Sequence, residues 1–296
     1  MTVASQQQKV DLGEPRSWRR AKNQIATVLM VIGFVIVIIP LGFVLYTVIS
    51  KGASIISGQF LTSDIPFNVA PANVGGMGPA VLGTLLITAL ATVLAVPIGI
   101  MAAIYINEYG GNSFLTRLIR FMADVMTGVP SIIMGLFVFA IWVVHFGYSG
   151  LAGAFALGCL MLPIVIRSSE EMLKLVPDSL REASYALGAS KARVTVTVVL
   201  PAALSGIVSG ALLAVARAAG ETAPVLFTIL TVTAPNANVF GGANTTLATQ
   251  IFANASQPYV GAQARGWGAA LTLVAIAFIL MIIARLVTGR ASRFSR

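Results

Sequence analysis

The sequence predicts an all-α integral membrane protein of six transmembrane helices with both termini in the cytoplasm. Of its 296 residues, 57% are hydrophobic and only 10% are charged, against about 25% charged in a soluble domain. The charges are also clustered. None lies between Lys22 and Lys51, none between Asp64 and Glu108, and only His145 between Asp124 and Arg167. Each of these stretches exceeds the roughly 20 apolar residues that cross a hydrocarbon core as a helix. Lys and Arg, finally, fall almost entirely on one side of the spans that this clustering defines.

The first span is expected at Ile25–Ile49, after a polar N-terminal tail (residues 1–22) that reads as disordered. Its uncharged core, Asn23 to Ser50, is longer than the roughly 7–15 residues of a signal-peptide core, so it reads as a retained helix. The second span is expected at Val81–Ile106, the third at Val129–Phe146 and the fourth at Leu151–Ile166. Gly147-Tyr148-Ser149-Gly150 is the turn signal dividing the third from the fourth. The fifth is expected at Ser205–Thr233 and the sixth at Gly268–Val287. Pro40, Pro97, Pro163 and Pro224 lie inside spans and Pro130 at the start of one, a pattern that membrane helices tolerate. The organisation is thus a tail of residues 1–22, a transmembrane domain of residues 23–290 with a long cytoplasmic loop at 167–204, and a tail of residues 291–296.

Orientation follows from the cations. Lys9, Arg16, Arg19, Arg20 and Lys22 precede the first span; Arg117 and Arg120 follow the second. Arg167, Lys174, Arg181, Lys191 and Arg193 follow the fourth, and Arg285, Arg290, Arg293 and Arg296 end the chain. The other side carries Lys51 and Arg265 only. The positive-inside rule puts the rich side in the cytoplasm. The net charge of +9 is therefore a set of topology signals lying against anionic membrane lipid. It is not a nucleic-acid footprint.

Several chemistries lack their residues. No Gly-Lys dipeptide occurs, so no Walker A loop can cradle ATP phosphates in this chain. One His (His145) and one Cys (Cys159, read as a packing residue) build none of the common zinc sites, and no Gly-x-Ser-x-Gly elbow is present. No cofactor is expected in this chain. If transport is energised, the energy comes from an ion gradient or from a partner.

The cytoplasmic stretch from Arg167 to Pro201 is the most informative soluble segment. Asp178 or Ser179 can cap a short helix there. Leu180, Ala183, Ser184 and Leu187 would share its face. Gly188 can end it in the left-handed conformation, and Ser190 can cap a second helix that returns to the membrane at Leu200-Pro201. By physics alone this is either an ordinary surface hairpin or a docking element. It resembles the loop shared by permease subunits of binding-protein-dependent ABC importers: Glu-Ala-Ala, three residues, Gly, nine residues, Ile-x-Leu-Pro. Glu182, Ala183, Gly188, Leu200 and Pro201 match at the family spacing, while Ser184 stands for the second Ala and Val198 for Ile. The resemblance implies the six-span ABC importer type I permease fold and a coupling helix seated on a partner ATPase. Glu182, Ala183, Ser184, Gly188, Leu200 and Pro201 would then be the coupling-loop residues, with ATP and Mg²⁺ held by the ATPase.

The fifth span carries Arg217 and Glu221, four residues apart on one helix face. A lone charge at the bilayer centre costs about 2.5–3.5 kcal/mol on insertion scales, so the two are expected to face the bundle interior or water. Either they form a structural ion pair, or they line the route of a polar solute. Gly220 leaves space beside them, Thr222 adds a hydroxyl, and Pro224 frees the carbonyl of Gly220. Gly206 and Gly210 upstream form a close-packing face. Arginine's planar fork suits an oxyanion, and a carboxylate beside it suits one that still carries a proton, as phosphate does near neutral pH and sulfate does not. The run Arg217-Ala-Ala-Gly220-Glu221-Thr222-Ala223-Pro224, followed by Leu226-Phe227-Thr228, resembles the fifth-helix signature of PstA-type permeases of the phosphate-specific ABC importer. That resemblance implies a role in phosphate passage for Arg217 and Glu221. It also implies a second homologous permease, two ATPase subunits, an extracytoplasmic phosphate-binding protein and a place in the bacterial inner membrane. Other oxyanions or small solutes (sulfate, molybdate, an organic phosphoester) and a stand-alone secondary transporter are the alternatives. An intramembrane enzyme would lack a second catalytic group. The outer loops, 50–80 and 234–267, are rich in Gly, Asn, Pro, Ser and Thr and would receive the binding protein.

Overall fold

The computed structural model describes residues 17–66 and 74–291. Most of the N-terminal tail, the tip of the first outer loop and the last five residues lie outside that range. Among the described residues the chain is helical throughout, and five helices are long and apolar enough to cross a membrane, or six when one bent pair is counted as a span.

Helix α1 (Ser17–Gly52) contains an 18-residue window with a mean hydropathy of 3.1 and has no amphipathic stripe, as expected of a helix solvated by lipid. Most of it, through Thr47, forms a unit distinct from the rest of the chain. The second unit starts at Val48. It runs through the short α2 (Gly58–Thr62), capped by Ser57, into α3 (Gly78–Ile104) and a π turn, Tyr105–Tyr109. α4 (Phe114–Gly128), α5 (Ser131–Val138), a π turn (Phe139–Val143) and α6 (Val144–Phe146) follow. Ser149 then caps α7 (Gly150–Lys174) by accepting from the Ala152 amide.

The third span departs from expectation. Its helix occupies residues 131–146, about 24 Å at 1.5 Å per residue, which is short of a hydrocarbon core of about 30 Å. The preceding loop is not a loop but α4, set at 108° to it. The break has a local cause. Pro130 disfavours the α conformation of the residue before it, and Val129 is extended (φ −78°, ψ 129°). The sequence hid α4 because Arg117, Arg120 and Asp124 make it read as a solvated connection.

The fourth and fifth spans also have different ends. α7 runs eight residues past Ile166, because Arg167, Glu170 and Lys174 satisfy one another along the helix (Lys174 Nζ–Glu170 Oε1 2.7 Å) and are met from α4 by Arg120 and Asp124. After α8 (Asp178–Ala186), the chain re-enters through α9 (Lys191–Val194) and a π turn (Thr195–Val199) into α10 (Leu200–Ala219). Pro201 has no amide hydrogen for the carbonyl four residues back, and the ladder shifts to the wider i→i+5 pattern there, with Leu200 N bonded to Thr195 O. The fifth span was expected to reach Thr233 but ends at Ala219. Pro224 sits instead in the first turn of a separate short helix, α11 (Ala223–Leu226), a position that needs no amide donor. α12 (Leu247–Ala255), with a Thr246/Thr249 capping box, precedes α13 (Val260–Ala291), which begins eight residues before the expected sixth span.

α7 is the centre of the bundle, flanked by α3 and α10. Ile87, Ala91 and Ala95 of α3 meet Leu157, Met161 and Val165 of α7 and Ala214, Val215 and Ala218 of α10 in one core. The glycine pair in α10 faces α7, as a close-packing face should. A β-carbon at Gly210 would collide with the Cβ and Oγ of Ser168, and one at Gly206 with the end of the Met172 side chain. The Ser168 atoms are fixed to the backbone, whereas the Met172 thioether can swing away. Gly210→Ala is therefore expected to destabilise the protein by about 1–3 kcal/mol, and Gly206→Ala by clearly less. Thermal unfolding midpoints in detergent check the ranking.

Candidate functional site

The α4–α5 break, α7 and the end of α10 enclose a cleft of about 320 Å³. Thr127, Pro130 and Ser131 come from the break, Pro163 from α7, and Arg217 and Glu221 from the last turn of α10 and just beyond it. α11 is held against α5 because Gly135 lets the Pro224 backbone approach; a β-carbon there would lie 2.6 Å from Pro224 Cα. The early end of α10 thus seats Arg217 and Glu221 beside the first turn of α5. That turn has no side-chain cap, and its residues Pro130 and Ser131 line the cleft.

Arg217 and Glu221 were expected on one helix face; Glu221 instead lies just past the end of α10, and the pair is loose, with 3.7 Å between Nε and Oε1. The two were expected to face the bundle interior or water, and both line the open cleft. The Arg217 side chain is 70% exposed and that of Glu221 20%. The physical reason is the break at Gly220, which leaves Arg217 at an open helix end rather than inside a continuous span. Thr222 begins α11 with its carbonyl accepting from Leu226 N, and it does not line the cleft. The structure brings Arg217 and Glu221 together and leaves Thr222 aside.

The second candidate is the hairpin between α7 and α10. α8 spans the expected residues, but neither Asp178 nor Ser179 caps it. Pro177 occupies the N-cap without a side-chain acceptor, and Asp178 pairs with Arg181 at 2.9 Å. Gly188 ends the helix at φ +79°, with open space around its α-carbon, so conformation rather than crowding calls for glycine. Ser190 caps α9 by accepting from Arg193 N, as its position implied. Glu182 and Ala183 are exposed, while Ser184 is half-buried and donates to Leu180 O. Leu200 packs with Val198 against a core of Leu173, Val194, Val199 and Ile207, and Pro201 sets the π turn. The six motif residues therefore divide: Glu182 and Ala183 present a surface, while Ser184, bonded within α8, and Gly188, Leu200 and Pro201 hold it in place.

Three buried charges were not singled out from the sequence. Glu108 in the π turn after α3 pairs with Arg181, Glu170 in α7 is met by Arg120, Arg167 and Lys174, and Arg265 in α13 donates to Asn254 Oδ1 (2.9 Å) and Val74 O (3.1 Å). Arg265 ties α12, α13 and the first outer loop together, and Gln250 extends the network to Thr245 and Val232 O. The outer loops are thus folded around buried amides and hydroxyls. The Thr246-x-x-Thr249 spacing was the available signal for α12.

Residues 95–293 match the family described as binding-protein-dependent transport system inner membrane component. The phosphate transport system permease protein PstA 1 of Mycobacterium tuberculosis H37Rv is 42% identical over 281 residues, 94% of this chain and 91% of that one. PstA of Yersinia pestis is 42% identical over 285 residues (93% and 92%), and PstA of Haemophilus influenzae 38% over 277 (91% and 94%). In fold, the chain is similar to one from the inward-facing methionine ABC transporter MetNI, with a TM-score of 0.60 at 20% identity over 73% of this chain and 95% of that chain. It is also similar to one from a bacterial ABC transporter involved in alginate import, with a TM-score of 0.59 at 13% identity over 93% and 99%. The chain therefore belongs to the inner-membrane components of binding-protein-dependent transport systems and, among these, to the PstA-type permeases.

Proposed function

We propose that this chain is the permease subunit of an ATP-driven phosphate importer in the bacterial inner membrane, forming half of the translocation pathway by alternating access. The observation that carries this is the cleft at Arg217, in a chain about 40% identical over nearly its whole length to phosphate transport system permeases. An exposed guanidinium at the surface of a single chain is costly in lipid. It is satisfied if a second homologous permease closes the other side of the pathway. Arg217 binds the anionic oxygens of phosphate, the first turn of α5 adds amide donors, and Glu221 accepts the P–OH hydrogen.

Both termini lie in the cytoplasm, where α8 docks in an ATPase subunit through Glu182, Ala183 and Ser184. The working assembly has two permease chains, two ATPase subunits and an extracytoplasmic phosphate-binding protein. ATP and Mg²⁺ belong to the ATPase, and this chain holds no cofactor. Closure of the ATPase pair moves α8, and the bundle around the cleft reorients.

Three outcomes test this. Arg217→Ala is expected to abolish ATP-dependent uptake of radiolabelled phosphate into proteoliposomes while the complex stays assembled; uptake at the wild-type rate would make the pair structural. Glu221→Gln replaces the anionic acceptor with a neutral amide and removes the repulsion, so discrimination against sulfate should fall by about ten- to a hundredfold, the worth of one charged hydrogen bond. Unchanged sulfate competition would sink the protonated-oxyanion reading. Ala183→Arg should prevent co-purification of the ATPase without lowering the permease's melting midpoint, and retained co-purification would place the ATPase contact elsewhere.

A further inference from the structure

α8 is exposed along most of its length, and its own packing is on α9 and the adjoining π turn. One side chain departs from this. Arg181 turns inward, 14% exposed, and reaches four acceptors. Its Nη2 donates to Glu108 Oε1 at 3.0 Å and to Leu173 O at 3.0 Å, and its Nη1 to Val176 O at 2.6 Å and Asp178 Oδ1 at 2.9 Å. Glu108 is 4% exposed and lies in the π turn that ends α3. Its other hydrogen bond comes from the neighbouring Asn107. The far end of the hairpin grips the same turn, because Lys191 at the start of α9 sits over the Tyr109 ring, 5.3 Å from its centroid.

We propose that Arg181 is the positioning residue that makes movement of the docking helix into movement of α3 and α7. Arginine is suited to this by its planar fork, whose fixed donors span a carboxylate on one helix and two carbonyls at the end of another. The π turn suits the receiving end, because its i→i+5 ladder (Gly110 N to Tyr105 O, 2.6 Å) places Glu108 and Tyr109 toward the two ends of the hairpin. Glu182, the next residue, points to solvent. One turn of α8 therefore holds the surface offered to the partner and the grip on the bundle. This rests on the docking role proposed above.

The test uses the whole importer in proteoliposomes, with Ser179→Cys in a Cys159→Ser background to report docking by cross-linking to the ATPase. Arg181→Ala, Arg181→Lys and Glu108→Gln are compared for phosphate moved per ATP hydrolysed. The cross-link should persist in all three. Arg181→Ala should lower phosphate per ATP by about tenfold or more, with the two conservative variants nearer threefold, since each leaves a buried partner incompletely paired. Loss of assembly in Arg181→Ala leaves the decision to the conservative pair on the same readout. A wild-type ratio in the variants that assemble, or transport and hydrolysis falling in parallel, overturns the proposal. Absence of the cross-link in the otherwise wild-type importer overturns the docking role, and this proposal with it.

Discussion

The approach of α10 to α7 at Gly206 and Gly210 is the constraint on which much of the second unit depends. Lipid supplies no hydrophobic drive between helices, so the bundle is held by close packing and by polar contacts that would otherwise be unsatisfied. With α10 pressed on Ser168 and Met172, α7 is enclosed between α10 and α3. From that central position it supplies one wall of the Arg217 cleft, and at its C-terminal end it presents Glu170 to cations and Leu173 O to Arg181. A shift of α7 would disturb all three, which is why a helix with so little chemistry of its own governs the geometry of both candidate sites.

Electrostatics divide the second unit by level. At the end of the bundle nearest α8, acidic groups are enclosed with cations: Glu108 with Arg181, Glu170 with Arg120 and Lys174. At the opposite end the enclosed charge is Arg265, held by an amide and a carbonyl. Between them, Arg217 and Glu221 sit 3.7 Å apart. A tight bidentate pair would spend both groups on each other; this spacing leaves donors and acceptors for a third party. Tight pairs at the docking level and a loose pair at the cleft fit one part that must move as a unit and another that must exchange its partner.

Much of this was legible in the sequence. Long uncharged runs placed the helices, and the Gly188 and Ser190 signals placed the hairpin, because each rests on a local rule of backbone conformation or capping. Helix ends were less legible. α7 overran Ile166 because its charges are paired by α4, 40 or more residues away along the chain. α10 stopped at Ala219 because α11 docks on α5 at Gly135, a contact no local window contains. The exposure of Arg217 had the same origin, since periodicity assigns a face but not the place where a helix ends. Glu108 and Arg181 are separated by 73 residues, so nothing in either neighbourhood announces the other.

The bent third span also bears on how the chain is built. α4 carries exposed Phe114, Leu118, Phe121 and Val125 on one side and Arg120 and Asp124 on another. Asp124 pairs with Arg167, which is 43 residues later in the sequence. At about 5–20 residues per second of synthesis, that partner arrives roughly 2–9 s after Asp124. α4 is amphipathic, and it is joined at Pro130 to a helix shorter than a hydrocarbon core. The bend at Pro130 is thus set by local sequence as soon as it is made, whereas the Asp124–Arg167 contact can form only once most of α7 has been synthesised.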